Sequence, residues 1–133
     1  MESRIEPRLA PPPGYAHTVT VEAGERLVFA AGAVPIDQSG LLIGAGDLRA
    51  QTRAVLDNLA EAFRGAGTGL DRVVATTVYV VASEQGDLAT VWEEVRASDL
   101  SIGPHSSTLL GVPFLGYTGQ LVEITAVAVT SAG

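Results

Sequence analysis

Apolar residues recur along this chain at two spacings, and the spacings divide it into strands and helices. From His17 to Glu22 the β-branched run Thr18-Val19-Thr20-Val21 predicts a strand, and Ala23-Gly24-Glu25 predicts a turn into a second apolar run, Arg26 to Val34. The two are expected to form a hairpin. Asp37-Gln38-Ser39-Gly40 reads as a further turn, followed by a short strand over Leu41–Ile43. Behind Asp47, a good helix N-cap, Leu48, Thr52, Val55, Leu56, Leu59 and Phe63 recur every three or four residues, with Arg49, Arg53, Asp57, Glu61 and Arg64 mostly opposite. That pattern predicts an amphipathic helix ending at Gly65. Arg72 to Ala82 is almost unbroken apolar and β-branched sequence, as expected of a central strand buried on both faces, and helix and strand together would make a βαβ-like unit. A second helix is expected from Ser83 or Asp87 to Ala97, with Leu88, Val91, Trp92 and Val95 on one face, then closing strands over Ser107–Val112 and Leu121–Val129.

The order β-β-(β)-α-β-α-β-β predicts an α+β fold, a mixed sheet with two helices on one face. Residues 1–14 end in Pro11-Pro12-Pro13-Gly14 and read as an extended lead-in rather than an element, because consecutive prolines donate no backbone hydrogen bonds. Residues 15–133 then form one domain, which suits a chain of 133 residues. A sheet covered on one side leaves its other face open. With 47% hydrophobic and 17% charged residues and a mean hydropathy of +0.29, that face is expected to be covered by other subunits.

Charge narrows the partners. Eight basic against fifteen acidic residues give a net charge of −7, the wrong sign for neutralising a phosphate backbone or an anionic membrane. All eight basic residues are arginine and there is no cysteine, which excludes Schiff-base lysines, thiolate nucleophiles, disulfides and cysteine zinc sites. His17 and His105 are far apart and lack the spacing of zinc-binding helices, so no metal is expected. The first residues lack the apolar segment of a signal peptide, and a cytoplasmic location is expected. Between Asp99 and Glu123 no residue carries a formal charge, but Gly103, Pro104, Gly111, Pro113, Gly116 and Gly119 break this stretch into loop and strand rather than a membrane span.

Several short segments, in order, resemble the Rid family, the reactive intermediate deaminases also called YjgF or endoribonuclease L-PSP proteins. Gly14-Tyr15-Ala16-His17 is similar to the family's opening G-x-Y-S-x segment. Ala31-Gly32-Ala33-Val34-Pro35-Ile36-Asp37 resembles its S-G-Q-x-P-x-D turn, and Gln51-Thr52 with Asn58-Leu59 resembles its helix signature. Val78-Tyr79-Val80 and Leu121-Val122-Glu123-Ile124 complete the series. The resemblance implies a chorismate-mutase-like fold assembled as a homotrimer around a central barrel, with three ligand clefts between subunits. It also implies hydrolysis of 2-imino or enamine acids to 2-keto acids and ammonia without metal or organic cofactor. An imine is already electrophilic, so the protein need only bind it, orient a water and manage one proton, which agrees with the absence of Lys and Cys.

On this resemblance Glu123 is the acid that holds the attacking water, and its strand parity agrees, since Leu121, Thr125, Val127 and Val129 surround it with a largely apolar face. Tyr15 lines the cleft, and Gly32 lets backbone approach the ligand. The family's deaminases carry an arginine in a P-A-R-S segment whose guanidinium clamps the substrate carboxylate. Here the segment is Gly103-Pro104-His105-Ser106-Ser107-Thr108. Aligning on Pro104 puts Ser106 at the arginine position, and aligning on Gly111-Val112 and Leu115 puts Ser107 there; neither register supplies an arginine. His105 could supply positive charge if protonated. The family's Ser and Gln are Ala31 and Ala33, and an asparagine of the second helix is Trp92, so the expected cleft is more apolar. The expected function is a divergent imine or enamine hydrolase using Glu123, with Tyr15, Gly32, Trp92, His105, Ser106 and Ser107 binding a small-molecule substrate. The alternative is a non-catalytic trimer that binds a metabolite or partner protein, and an endoribonuclease is the third reading.

Overall fold

The computed structural model describes residues 1–103 and 105–131. Its strands and helices are β1 (Glu2–Arg4), β2 (Thr18–Thr20), β3 (Arg26–Ala33), α1 (Leu48–Gly65), β4 (Val73–Val80), α2 (Gly86–Arg96), β5 (Ser106–Gly111) and β6 (Val122–Thr130). Single turns of 3₁₀ helix at Leu70–Arg72 and Asp99–Ser101 precede β4 and follow α2.

β3, β6, β4 and β5 form one sheet in that order, with β4 and β5 parallel and the other pairs antiparallel. The last strand therefore inserts between β3 and β4, so the unit β3-α1-β4 is split, whereas α2 links the neighbouring parallel strands β4 and β5 as parallel pairing requires. α1 forms as its periodicity predicts. Asp47 caps it by accepting a hydrogen bond from the Ala50 N–H at 3.0 Å, a contact typically contributing about 1 kcal/mol. Val55, Leu59 and Phe63 on its inner face are fully buried with Val78, Val80, Ile124 and Ala128 of the sheet, each contributing roughly 1.5–3 kcal/mol for the larger side chains. Among the described residues no helix is long and apolar enough to cross a membrane.

Four local expectations are corrected. Residues 2–4 are not a featureless lead-in but pair with β2, Glu2 opposite Thr20 and Arg4 opposite Thr18. In consequence β2 and β3 do not form a hairpin: β2 belongs to this small two-stranded ribbon and β3 pairs with β6. The turn Ala23-Gly24-Glu25 connects two sheets rather than two partners. Leu41–Ile43 makes a single bridge, Leu42 to Ile36, because Asp37 Oδ1 accepts from the backbone N–H groups of Ser39 and Leu41 and closes a tight loop there. Finally β4 alternates buried and half-buried positions instead of being buried on both sides. Both helices lie on one face of the sheet, and Ala75, Thr77 and Tyr79 face the other.

That second face decides where chemistry can occur. On β6, Val122, Ile124, Ala126 and Ala128 point to the helices, which places Glu123, Thr125 and Val127 on the open face. Phe29 of β3 stands there 73% exposed, opposite Val127 in the ladder.

Candidate functional site

Glu123 sits on β6 where β3 departs from regular pairing, with a shift in register between Ala30 and Ala33. The irregularity brings Gly32 under the carboxylate. A Cβ at Gly32 would lie 2.8 Å from Glu123 Cδ and overlap its Oε2, so only glycine leaves room for the acid to lie flat on the strand. The other oxygen is held from the opposite side, where Gln120 Nε2 donates to Glu123 Oε1 at 3.1 Å and to the Val122 carbonyl at 3.0 Å. Gln120 is only 3% exposed, and its Oε1 accepts from the Tyr117 N–H at 3.1 Å. A second buried amide secures the same loop: Gln51 of α1 donates to the carbonyls of Gly119 and Gly44 and accepts from the Leu121 N–H at 2.7 Å. Glu123 is thus a positioned carboxylate on a largely apolar sheet face.

Tyr15, Trp92 and Ser107 meet elsewhere. Together with Pro13 and Leu109 they line a cleft of about 260 Å³ between α2 and the edge strand β5. The rings of Tyr15 and Trp92 pack edge to face with centroids 6.4 Å apart, and Trp92 Nε1 donates to the Pro13 carbonyl at 2.7 Å. The consecutive prolines Pro11-Pro12-Pro13 therefore have a role, holding an acceptor where the indole needs one. A second groove of about 330 Å³ runs from Tyr15 and His17 across Thr76, Ser106 and Ser107. Ser106 Oγ donates to the Val74 carbonyl at 2.8 Å, so its hydroxyl is spent on the backbone.

His105 occupies a different environment from the one its sequence position implies. It is 1% exposed, behind the cleft rather than in it, with Thr76 Oγ1 3.0 Å from its Nε2. Thr76 Oγ1 is in turn 2.7 Å from Ser107 Oγ. Burial pushes the imidazole pKa down, opposed by the carbonyls of Leu100 and Gly103 beside the ring, so the group is held neutral and supplies no positive charge to a ligand. Pro104, the anchor of one of the two alignments, lies outside the described residues.

The two halves of the expected site are separate within one chain. Ser107 pairs with Thr76 on the helix-covered face, and Glu123 pairs with Tyr79 on the open one. Among the described residues, neither the cleft lining nor the hydrogen bonds of the carboxylate include an arginine. Thr76, Gln51 and Gln120 are the polar residues that sequence reasoning did not assign to the site. Each is a buried hydrogen-bonding side chain in an apolar setting, and for Thr76 the alternation along β4 places it on the core side.

Comparison with known proteins agrees with this architecture. The sequence profile of the family described as Endoribonuclease L-PSP matches residues 6–130. The chain is 39% identical over 119 residues to a RutC family protein of Pyrococcus horikoshii, covering 90% of each chain. It is 31% identical over 116 residues to Protein DfrA of Myxococcus xanthus, covering 87% of this chain and 85% of that one. Among solved structures it is similar to YyfB, a Rid-family protein of unknown function from Yersinia pestis. The TM-score is 0.85 and the identity 33%, with 96% of this chain and 98% of that chain covered.

Proposed function

Because the chain belongs to the endoribonuclease L-PSP, or Rid, family, we propose that it acts as a homotrimer that hydrolyses an imine, enamine or related small metabolite without metal or cofactor. The site combines the Tyr15–Trp92–Ser107 cleft of one subunit with Glu123 of another. The observation that carries this reading is the preparation of Glu123. A carboxylate on an open, mostly apolar strand is laid against a glycine and fixed by a buried glutamine, which costs polar burial that an ordinary surface acid does not need. Since the cleft and Glu123 lie on opposite faces of one chain, a second copy is needed to complete the site.

In the reaction, the cleft binds the substrate and holds its C=N carbon toward the carboxylate. Glu123 accepts a proton from water as the oxygen attacks that carbon and passes it to the nitrogen, giving a carbinolamine; as the C–N bond breaks, the carboxylate takes the hydroxyl proton in turn and delivers it to the departing amine. The products are a carbonyl compound and ammonia or an amine. With no arginine to grip a carboxylate, simple 2-imino acids are poor substrates. The apolar lining also supports the alternative of ligand binding without turnover, and the acidic chain counts against an endoribonuclease.

Imine hydrolysis is tested by generating imines in situ with an amino-acid or amine oxidase and trapping survivors with semicarbazide. Turnover by the native protein that falls by at least about a hundredfold in Glu123→Gln supports hydrolysis. Ligand binding with no Glu123-dependent turnover supports the binding reading instead.

A further inference from the structure

The direction of the hydrogen-bond chain behind the cleft follows from which nitrogen of His105 carries the proton. The carbonyls of Leu100 and Gly103 lie beside the His105 ring, and its Nδ1 makes no hydrogen bond of full geometry among the described residues. With Nε2 already facing Thr76, the proton of the neutral ring is assigned to Nδ1, since carbonyl oxygens beside the ring favour an N–H there over a lone pair, and Nε2 is then an acceptor. Thr76 then has to donate its single hydroxyl proton to Nε2 across 3.0 Å. Having donated there, Thr76 Oγ1 can only accept from Ser107, across 2.7 Å. The Ser107 proton points away from the cleft, and only oxygen lone pairs face into it. The indole N–H of Trp92 is likewise committed to Pro13, which leaves the Tyr15 phenol as the one side-chain donor among the five lining residues.

Resting on the reading of this cleft as the ligand site, we propose that it selects uncharged, largely apolar ligands that offer an N–H or O–H to Ser107 Oγ. None of the five lining residues, Pro13, Tyr15, Trp92, Ser107 and Leu109, is charged. A carboxylate would therefore bring its negative charge against an acceptor oxygen and indole and proline surface, with the single neutral Tyr15 phenol too little to replace its lost hydration. The volume of about 260 Å³ suits a ligand with one ring and a short polar arm, since about 150 Å³ holds a benzene ring. The Tyr15 phenol remains able to donate to an acceptor on the same arm. A neutral imine or enamine N–H has this chemistry, and an imino acid with a free carboxylate does not.

Binding can be read without turnover, because Trp92 is the single tryptophan of the chain and lines the cleft. Its fluorescence is followed on titration with three probes of one shape: phenylacetamide, which offers N–H; phenylacetone, which is neutral but has no such donor; and phenylacetate, which is anionic. The amide is expected to bind about tenfold more tightly than the ketone, with no saturable binding of the anion. Thr76→Val, close in shape, frees the Ser107 hydroxyl to rotate and donate, and should erase the preference for amide over ketone. Ser107→Ala, which keeps the strand, should erase it too. Equal affinity for amide and ketone in the native protein, preference for phenylacetate, or no binding of any probe would each overturn the proposal. A preference for phenylacetate would leave hydrolysis at Glu123 standing, because that reading is decided by the semicarbazide assay and not by these probes.

Discussion

At the residue scale, His105 and Gly32 each do something different from what their residue types suggest. A histidine in a loop before a strand is commonly a solvated, titrating group, but this one is enclosed and neutral, with its Nε2 fixed on Thr76. Burial lowers its pKa in the folded chain below the ordinary value near 6.5, so the unfolded chain binds more protons once the pH falls below that value. Stability attached to this residue is therefore complete at neutral pH and lost as pH falls from about 6.5. His105→Gln keeps a polar partner for Thr76 without the titration. Chemical denaturation at pH 7.5 and pH 5 should show the native protein losing more stability than the variant, and equal losses would mean that the ring is open to solvent. Gly32 makes a contrasting prediction. A methyl group there meets the flexible end of Glu123 rather than backbone, so Gly32→Ala should change stability by less than about 1 kcal/mol. It should nevertheless displace the carboxylate and lower any Glu123-dependent turnover about tenfold or more, a separation of activity from stability that thermal unfolding and the semicarbazide assay would show together.

At the scale of elements, what could be read from the sequence followed periodicity, and what could not depended on pairing. α1, from its Asp47 cap to Gly65, carries an apolar repeat that only a helix can bury on one side, so its type and both ends were legible. β2 and β3 were legible as strands but not as non-partners. Alternation states which face of a strand is buried and says nothing of its neighbour, and the partner of β2 came from a segment too short and polar to register. The candidate site divides in the same way. Glu123 and Trp92 stand out as an acid and an indole in apolar patterns, whereas Thr76 is one more β-branched residue in a β-branched run, and Gln51 and Gln120 look like surface glutamines. Only the fold shows that Gln51 and Asn58, seven residues apart on the inner face of α1, each clamp a loop: Asn58 holds the carbonyls of Val34 and Ile36, and Gln51 holds Gly44, Gly119 and Leu121. Gln51→Ala leaves the Gly119 carbonyl and the Leu121 N–H without partners, while the Gly44 carbonyl keeps the Asp47 N–H, and should cost about 2–3 kcal/mol. Hydrogen exchange at Leu121 should accelerate before that of the core of β6, and uniform acceleration of both would mean that the clamp is part of global stability alone.

At the scale of the whole molecule, the open face of the sheet is the feature a single chain leaves unexplained. Leu27 and Phe29 stand exposed on β3, and a groove of about 230 Å³ runs beside Phe29 over Ala75, Thr77, Thr125 and Val127 with no charged residue in its lining. Exposed apolar surface of this kind, continuous across adjacent strands, favours association, and a net charge of −7 on the rest of the chain keeps the association from spreading. The proposed trimer covers that face and also brings one subunit's Glu123 toward another's cleft, so assembly and chemistry depend on the same residues. A charge placed in the face separates the two requirements, because Phe29 touches neither the Glu123 clamp nor the cleft lining. Phe29→Asp should fold, since its side chain is 73% exposed in the isolated chain, yet sediment near the 13.7 kDa of one chain where the native protein sediments near three times that mass. If hydrolysis needs Glu123 from a second subunit, this variant should lose it while still binding phenylacetamide with Trp92 as reporter. Full activity in a monomeric Phe29→Asp would mean that one chain completes the site, and that the open face serves assembly alone.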